Sequence, residues 1–275
     1  VDFSPKKIDY LAENMNYYEP FITWDNKEIY FIRSEISRDT NKDSFISSVS
    51  STMKYVFCVS RLDSNGNYDR GFFEDLPFNS GKREGRVSIT PDNNLLFFSK
   101  LNDETDNKTW DIYYCEKFDG YWSEAKSINS INSQEYDEFS PSVSVDGSTL
   151  YFTSNRVGGK GGYDIWYSLR QKDGSWSNPI NMGNNINTFL DESEPFIAAD
   201  NESFYFISNG WKTIGKSDIF YSNLTNNKKP VNIGYPINSE ENERSIGVMI
   251  DGKTAYSTFK NQDNNYFEIN TFSLP

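Results

Sequence analysis

The segment EFSPSVSVDGSTLYFTSNRVGGKGGYDIWY, Glu138 to Tyr167, holds one complete structural unit. Ser142 to Val145 reads as a strand ending in an Asp146-Gly147 turn, because Asp-Gly supplies the positive φ that a two-residue hairpin demands. Thr149 to Ser154 follows as a second strand. Its Leu150, Tyr151 and Phe152 are apolar on consecutive residues, the pattern of a strand covered on both faces. The glycine-rich loop from Val157 to Gly162 then leads into a third strand, Asp164 to Ser168. That loop lacks Walker spacing and opens onto a strand, so it reads as turn geometry and not as a phosphate cradle.

The unit recurs along the whole chain. Its turn aspartate has equivalents at Asp25, Asp92, Asp200 and Asp251, giving intervals of 67, 54, 54 and 51 residues. The second strand returns as Ile29-Tyr30-Phe31, Leu96-Phe97-Phe98, Phe204-Tyr205-Phe206 and, more weakly, Ala255-Tyr256. The third returns as Tyr55-Val56-Phe57, Asp111-Ile112-Tyr113, Asp218-Ile219-Phe220 and Glu268-Ile269. A period of about 50 residues with three or four strands per unit indicates a β-propeller.

The repeated Ser-Pro, Asp-Gly, Leu-Tyr-Phe, Ser-Asn-Arg-x-Gly-Gly and Asp-Ile-Trp-Tyr elements resemble the WD40-like, TolB-type β-propeller repeat of bacterial envelope proteins. The resemblance covers nearly the whole chain, strongly in the third and fourth copies and loosely in the first and fifth. It implies a periplasmic, cell-surface or secreted location, with a signal peptide already removed, and a scaffold whose ligand is set by its loops.

Closure follows from the outer strands. Trp122-Ser123-Glu124-Ala125 and Trp176-Ser177-Asn178-Pro179 each stand 24 residues ahead of the next turn aspartate and are read as fourth strands. Phe3-Ser4-Pro5 resembles them, with no third strand before it. Residues near 3 to 11 are therefore expected to complete the last blade. The result is an all-β, five-bladed propeller of four-stranded antiparallel blades, over residues 17–80, 81–134, 135–188, 189–237 and 238–275 plus 1–12. The polar stretch 35–52 lengthens the first interval and reads as an insertion between the second and third strands.

Composition narrows the chemistry. With no histidine among 275 residues, a Ser-His-Asp triad, a Cys-His pair and every histidine metal site are excluded. A net charge of −13 argues against nucleic acid and anionic membrane surfaces. No run approaches the ~18 apolar residues of a membrane-spanning helix. Cys58 and Cys115 fall at equivalent places in adjacent blades, beyond disulfide reach, and are expected as free thiols. A monomer is expected.

Candidate ligand groups gather on the face where chain enters each first strand and leaves each second. Glu84, Glu138, Glu192 and Glu243 stand eight residues before their turn aspartates, with Tyr17 at that place in the first copy. Asp137, Asp191, Glu194 and Glu241 crowd beside them, and Arg33, Arg156, Trp211, Lys212 and Arg244 supply cations and an aromatic ring. The innermost strands, read as FITW, VSIT, SVSV, FIAA and GVMI, carry no carboxylate. Equivalence of the ring glutamates favours a structural task, so the expected function is non-catalytic binding of protein, peptide or glycan. The alternative is a glycan-active enzyme using acids at the channel mouth, as in five-bladed glycosidases. No cofactor is expected; calcium at the acidic ring is the weaker alternative.

Overall fold

The computed structural model describes residues 5–8, 11, 15–38, 51–73, 77–80, 82–103, 108–226, 228–261 and 265–274. Among these, the strands form five antiparallel sheets, the blades of a five-bladed propeller. The first blade runs Asn16–Ile22, Glu28–Arg38, Ser51–Arg61, Phe72–Phe73 from axis to rim, and the second Glu84–Ile89, Leu95–Asn102, Thr109–Phe118, Lys126–Ser127. The third is Glu138–Val143, Thr149–Ser154, Asp164–Leu169, Ile180–Asn181, and the fourth Glu192–Ile197, Ser203–Ser208, Asp218–Asn223, Val231–Asn232. The fifth takes Gly247–Val248, Thr254–Lys260 and Phe267–Ser273, with Lys6–Lys7 as its outer strand. Lys6 pairs with Thr271 and Lys7 with Asn270, so the N-terminal strand closes the ring.

Three local readings change. The hairpin after the first strand has four residues between Ser144 and Thr149, which are joined by an N–H···O bond of 2.9 Å. Asp146 does not supply the positive φ. It accepts from Ser144 Oγ and the Ser148 N–H, while Gly147 takes φ 68°. Asn26, Asn93, Asn201 and Gly252 hold the same left-handed place after their aspartates, so each turn divides acceptor and φ between two residues. The tryptophan signatures begin the outer edge, Trp122 pairing with Lys117 in the short strand Tyr121–Trp122 and Trp176 bridging to Arg170, and the pairing resumes just beyond them at Lys126–Ser127 and Ile180–Asn181; Phe3 and Ser4 lie outside the described residues. Finally, both ends of 35–52, residues 35–38 and 51–52, are strand. One ladder runs unbroken from the Glu28/Arg61 pair to the Arg38/Ser51 pair, and 39–50 lie outside the described residues.

Aromatic rings carry the packing between blades. Phe78, from the connection after the first blade, stacks on Phe57 at 4.3 Å and meets Phe98 of the second edge-on at 5.4 Å. Trp176 of the third blade meets Phe97 of the second at 5.6 Å, and Tyr151 meets Phe204 of the fourth at 5.0 Å. Trp24 and Phe196, from the non-adjacent first and fourth blades, approach to 6.3 Å and fill the axis with apolar surface. Cys58 and Cys115 are both buried and not joined in a disulfide, and burial pushes the Cys115 thiol up to about 12.

The links between blades are pinned by an asparagine that mimics a strand residue. Asn132 accepts from the Ile112 N–H and donates to its carbonyl, both at 2.8 Å. Asn79 does the same to Phe57, Asn187 to Ile165 and Asn238 to Ile219. Each amide satisfies both backbone groups of a third-strand residue beyond the end of the short fourth strand.

Trp176 is 9% exposed, whereas Trp122 is only half-buried. Trp176→Ala should therefore cost ~3–5 kcal/mol in urea unfolding, with Trp122→Ala costing clearly less; equal losses would contradict this packing.

Candidate functional site

Two residues beyond each ring position stand Glu19, Arg86, Ser140 and Glu194 on the innermost strands of the first four blades, and Ser245 just ahead of the fifth. In the first four blades strand pairing slips at this point, between Tyr18 and Phe21, Glu84 and Val87, Phe139 and Ser142, and Ser193 and Phe196. Glu19, Ser140 and Glu194 sit at φ 52°, 50° and 53°, and a proline follows each. Left-handed backbone ahead of proline is strained for a residue with a Cβ. Strain of this kind re-aims a side chain and marks functional positions.

These side chains form a network at the axis. Arg86, 1% exposed, donates to Glu194 Oε2 at 3.3 Å and to the Ile246 carbonyl at 2.7 Å, and lies 5.6 Å above the Phe196 ring. Ser140 Oγ donates to Glu194 Oε1 at 2.6 Å. The Glu194 N–H donates to Thr153 Oγ1 of the third blade at 3.2 Å. Glu19 accepts the Arg86 backbone N–H, yet its Oε2 is buried without a hydrogen-bond partner among the described residues. Burial first, then the neighbouring Glu194, pushes the Glu19 carboxyl up to about 7, against the opposing pull of Arg86.

Above the network lies a cavity of about 650 Å³. Glu19 and Glu194 line it together with Tyr18, Tyr55, Trp110, Phe139 and Tyr163, and Arg83 and Arg244 stand at its exposed edge. Arg83 lies over Tyr55 at 5.0 Å and Trp110 at 5.7 Å, and Arg244 over Phe267 at 4.3 Å and Tyr18 at 5.6 Å. Asp137 fixes two of the aromatic residues, accepting the Trp110 N–H at 2.9 Å and the Tyr163 hydroxyl at 2.8 Å.

Of the fourteen residues singled out in the sequence, the cavity gathers Glu84, Asp191, Glu194, Glu243 and Arg244. The ring glutamates hold the incoming loops. Glu84 accepts from Ser80 N–H and Oγ at 3.0 and 2.8 Å, Glu192 from Thr188 at 2.6 and 2.8 Å, and Glu243 from Ser239 at 2.8 and 2.7 Å. Glu138 accepts the Ser133 N–H at 2.8 Å and pairs with Arg156 at 2.7 Å. Burial raises all four carboxyls, Glu138 to about 7. Tyr17 is buried edge-on against Phe31, and Arg33 reaches the Gly71 carbonyl at 3.5 Å. Trp211 donates its indole N–H to the Ile186 carbonyl at 2.8 Å and packs on the fourth blade's core, while Lys212 is exposed. Neither lines the cavity.

The innermost strands begin earlier than their apolar tetrapeptides, so two of them do carry axial carboxylates, Glu19 and Glu194. The available signal was the proline after each, since proline inside an inner strand marks a bulge. Among the described residues no cluster of three or more acidic or cysteine side chains could hold a metal ion.

No protein-family model matches the chain, and no curated protein matches it. Solved structures share its fold. TolB from Acinetobacter baumannii superposes with TM-score 0.53 at 14% identity, covering 96% of this chain and 56% of that one, so the chain spans about half of TolB's length. CoXyl43, a GH43 β-xylosidase/α-arabinofuranosidase from a compost microbial metagenome, gives TM-score 0.56 at 11% identity over 98% and 95% of the two chains. An α-L-arabinofuranosidase from Lactobacillus brevis gives 0.53 at 12% over 97% and 94%. At these identities the likeness establishes the propeller and nothing finer.

A carboxyl raised in the native state binds a proton that the unfolded chain releases. The stability from Glu19 is complete below the ordinary carboxylate pKa of about 4.3 and is lost as pH rises through about 7. Between pH 4.5 and 8 the melting temperature of Glu19→Gln should fall less than that of wild type. Parallel curves would mean that Glu19 ionises normally.

Proposed function

We propose that this protein is a non-catalytic binding or scaffolding propeller of the bacterial cell envelope, taking a protein, peptide or glycan into the cavity at one end of its axis. The observation that carries the reading is how its polar groups are used. The ring glutamates are occupied by loop serines and Thr188, and Glu194 by Arg86 and Ser140. The open volume is lined by five aromatic side chains set among acids and amides, with arginines at its edge, and aromatic rings with arginines are the residue types that dominate binding hot spots. The envelope assignment draws on the TolB-type repeat pattern and on the fold shared with TolB.

Hydrolysis of a glycosidic bond is the second reading, and one observation favours it. Glu19 and Glu194 are neighbouring carboxylates in unlike surroundings, one raised to about 7 and the other held by an arginine. Glycosidases separate acid from nucleophile or base by such a contrast.

The two readings part in a screen of glycan and peptide libraries with product analysis. A binding module should retain intact ligand, weakened about tenfold or more by Trp110→Ala and unchanged by Trp211→Ala with Lys212→Ala, which lie off the cavity. Cleaved glycan, with cleavage abolished by Glu19→Gln or Glu194→Gln, would establish the enzyme instead.

A further inference from the structure

Charge in the cavity is sorted by burial. Three charged groups meet at its base: Glu19, Glu194 and the fully buried Arg86. The guanidinium is committed to Glu194 and the Ile246 carbonyl, and Glu19 receives from Arg86 only a backbone N–H. The base thus sets two carboxyl groups against one guanidinium, which is hydrogen-bonded to only one of them. It also keeps a carboxyl oxygen, Glu19 Oε2, that is out of solvent and has no donor among the described residues. An unsatisfied buried acceptor on a strained bulge is a place for a ligand's donor.

The walls and edge say which donor. Aromatic rings flank the approach to Glu19, and ring faces attract a cation more than a neutral hydroxyl. At the edge, Arg83 and Arg244 are exposed, held against aromatic rings, and without a salt bridge among the described residues. Guanidinium planes fixed in this way suit a carboxylate. A polyamine would meet repulsion there, and a neutral sugar would leave both arginines and the Glu19 charge unanswered. The volume falls in the range of small-ligand sites.

We infer that the cavity captures the free amino terminus of a peptide, its α-ammonium seated on Glu19 and an acidic group a few residues along held by Arg83 and Arg244. This rests on the cavity being the binding site and names its ligand class. Glu194 acts as a positioning residue, keeping Arg86 away from the ammonium.

The test compares three pools by affinity selection and calorimetry: mixed-sequence tetrapeptides with free amino termini, the same tetrapeptides N-acetylated, and neutral xylo- and cello-oligosaccharides. Wild type should select free-amine peptides, enriched in acidic residues. Acetylation should cost at least tenfold in affinity, as should Glu19→Gln, and Arg244→Gln should abolish the acidic preference. Because acetylation alters only the ligand, its result stands even if a variant folds poorly. Binding that survives acetylation, or that goes to oligosaccharides, and is still lost in Trp110→Ala would overturn this inference and leave the cavity reading intact. Binding from no pool, or binding indifferent to Trp110→Ala, would overturn both.

Discussion

Five sheets arranged as a ring must bring five innermost strands to one axis, and there is little room where they meet. In this protein the space is shared between two kinds of filling. On one side Trp24 and Phe196 close the axis with apolar rings; on the other, bulges in four of the inner strands turn polar side chains toward it. A regular strand would alternate its side chains between the faces of its own blade. The bulge breaks that alternation at one register and so lets four of the blades address the same small volume. The network of Glu19, Arg86, Ser140 and Glu194 follows from this geometry, and the cavity lies over it.

Most of the remaining polar repetition serves the connections. Blades this short-stranded at the rim leave backbone groups of the third strand without a neighbour, and the asparagine clamps at Asn79, Asn132, Asn187 and Asn238 meet that need. The ring glutamates act a few residues later, fastening the same connection to the next inner strand. Clamp and cap together fix the angle at which one blade hands over to the next. A residue type demanded at every junction carries little information about a ligand, and the acids that obey the repeat are the ones bound up in the scaffold.

The ring, its blade count and its closure were legible because they rest on spacing: turn aspartates about 54 residues apart and an orphan outer-strand signature ahead of the first of them. The candidate site was legible only in outline. The face was identified, and Glu84, Glu243 and Arg244 do line the cavity. Glu19 and Arg86 went unnoticed because a bulge is not a periodic feature; it moves a side chain from one face to the axis without altering the apolar tetrapeptide that identifies the strand. Trp211 illustrates the converse. It departs from the repeat, but its indole fills a gap left by the missing Asn-Arg-x-Gly-Gly loop, where Arg156 does similar packing over Phe152 and Trp166 in the third blade.

The seal between Lys6–Lys7 and Phe267–Ser273 joins residues about as far apart in sequence as the chain allows, with Lys7 held to Glu268 at 3.0 Å. Contacts of such separation form late, because the loop they close costs conformational entropy before it returns any contact energy. Until that pairing forms, the rim edge of Phe267–Ser273 is bare and the five blades make an open arc. Bare edges pair readily with whatever strand is near. The pairing that completes the fifth blade thus concentrates the hazard in the time before closure, when quality control by chaperones would matter most.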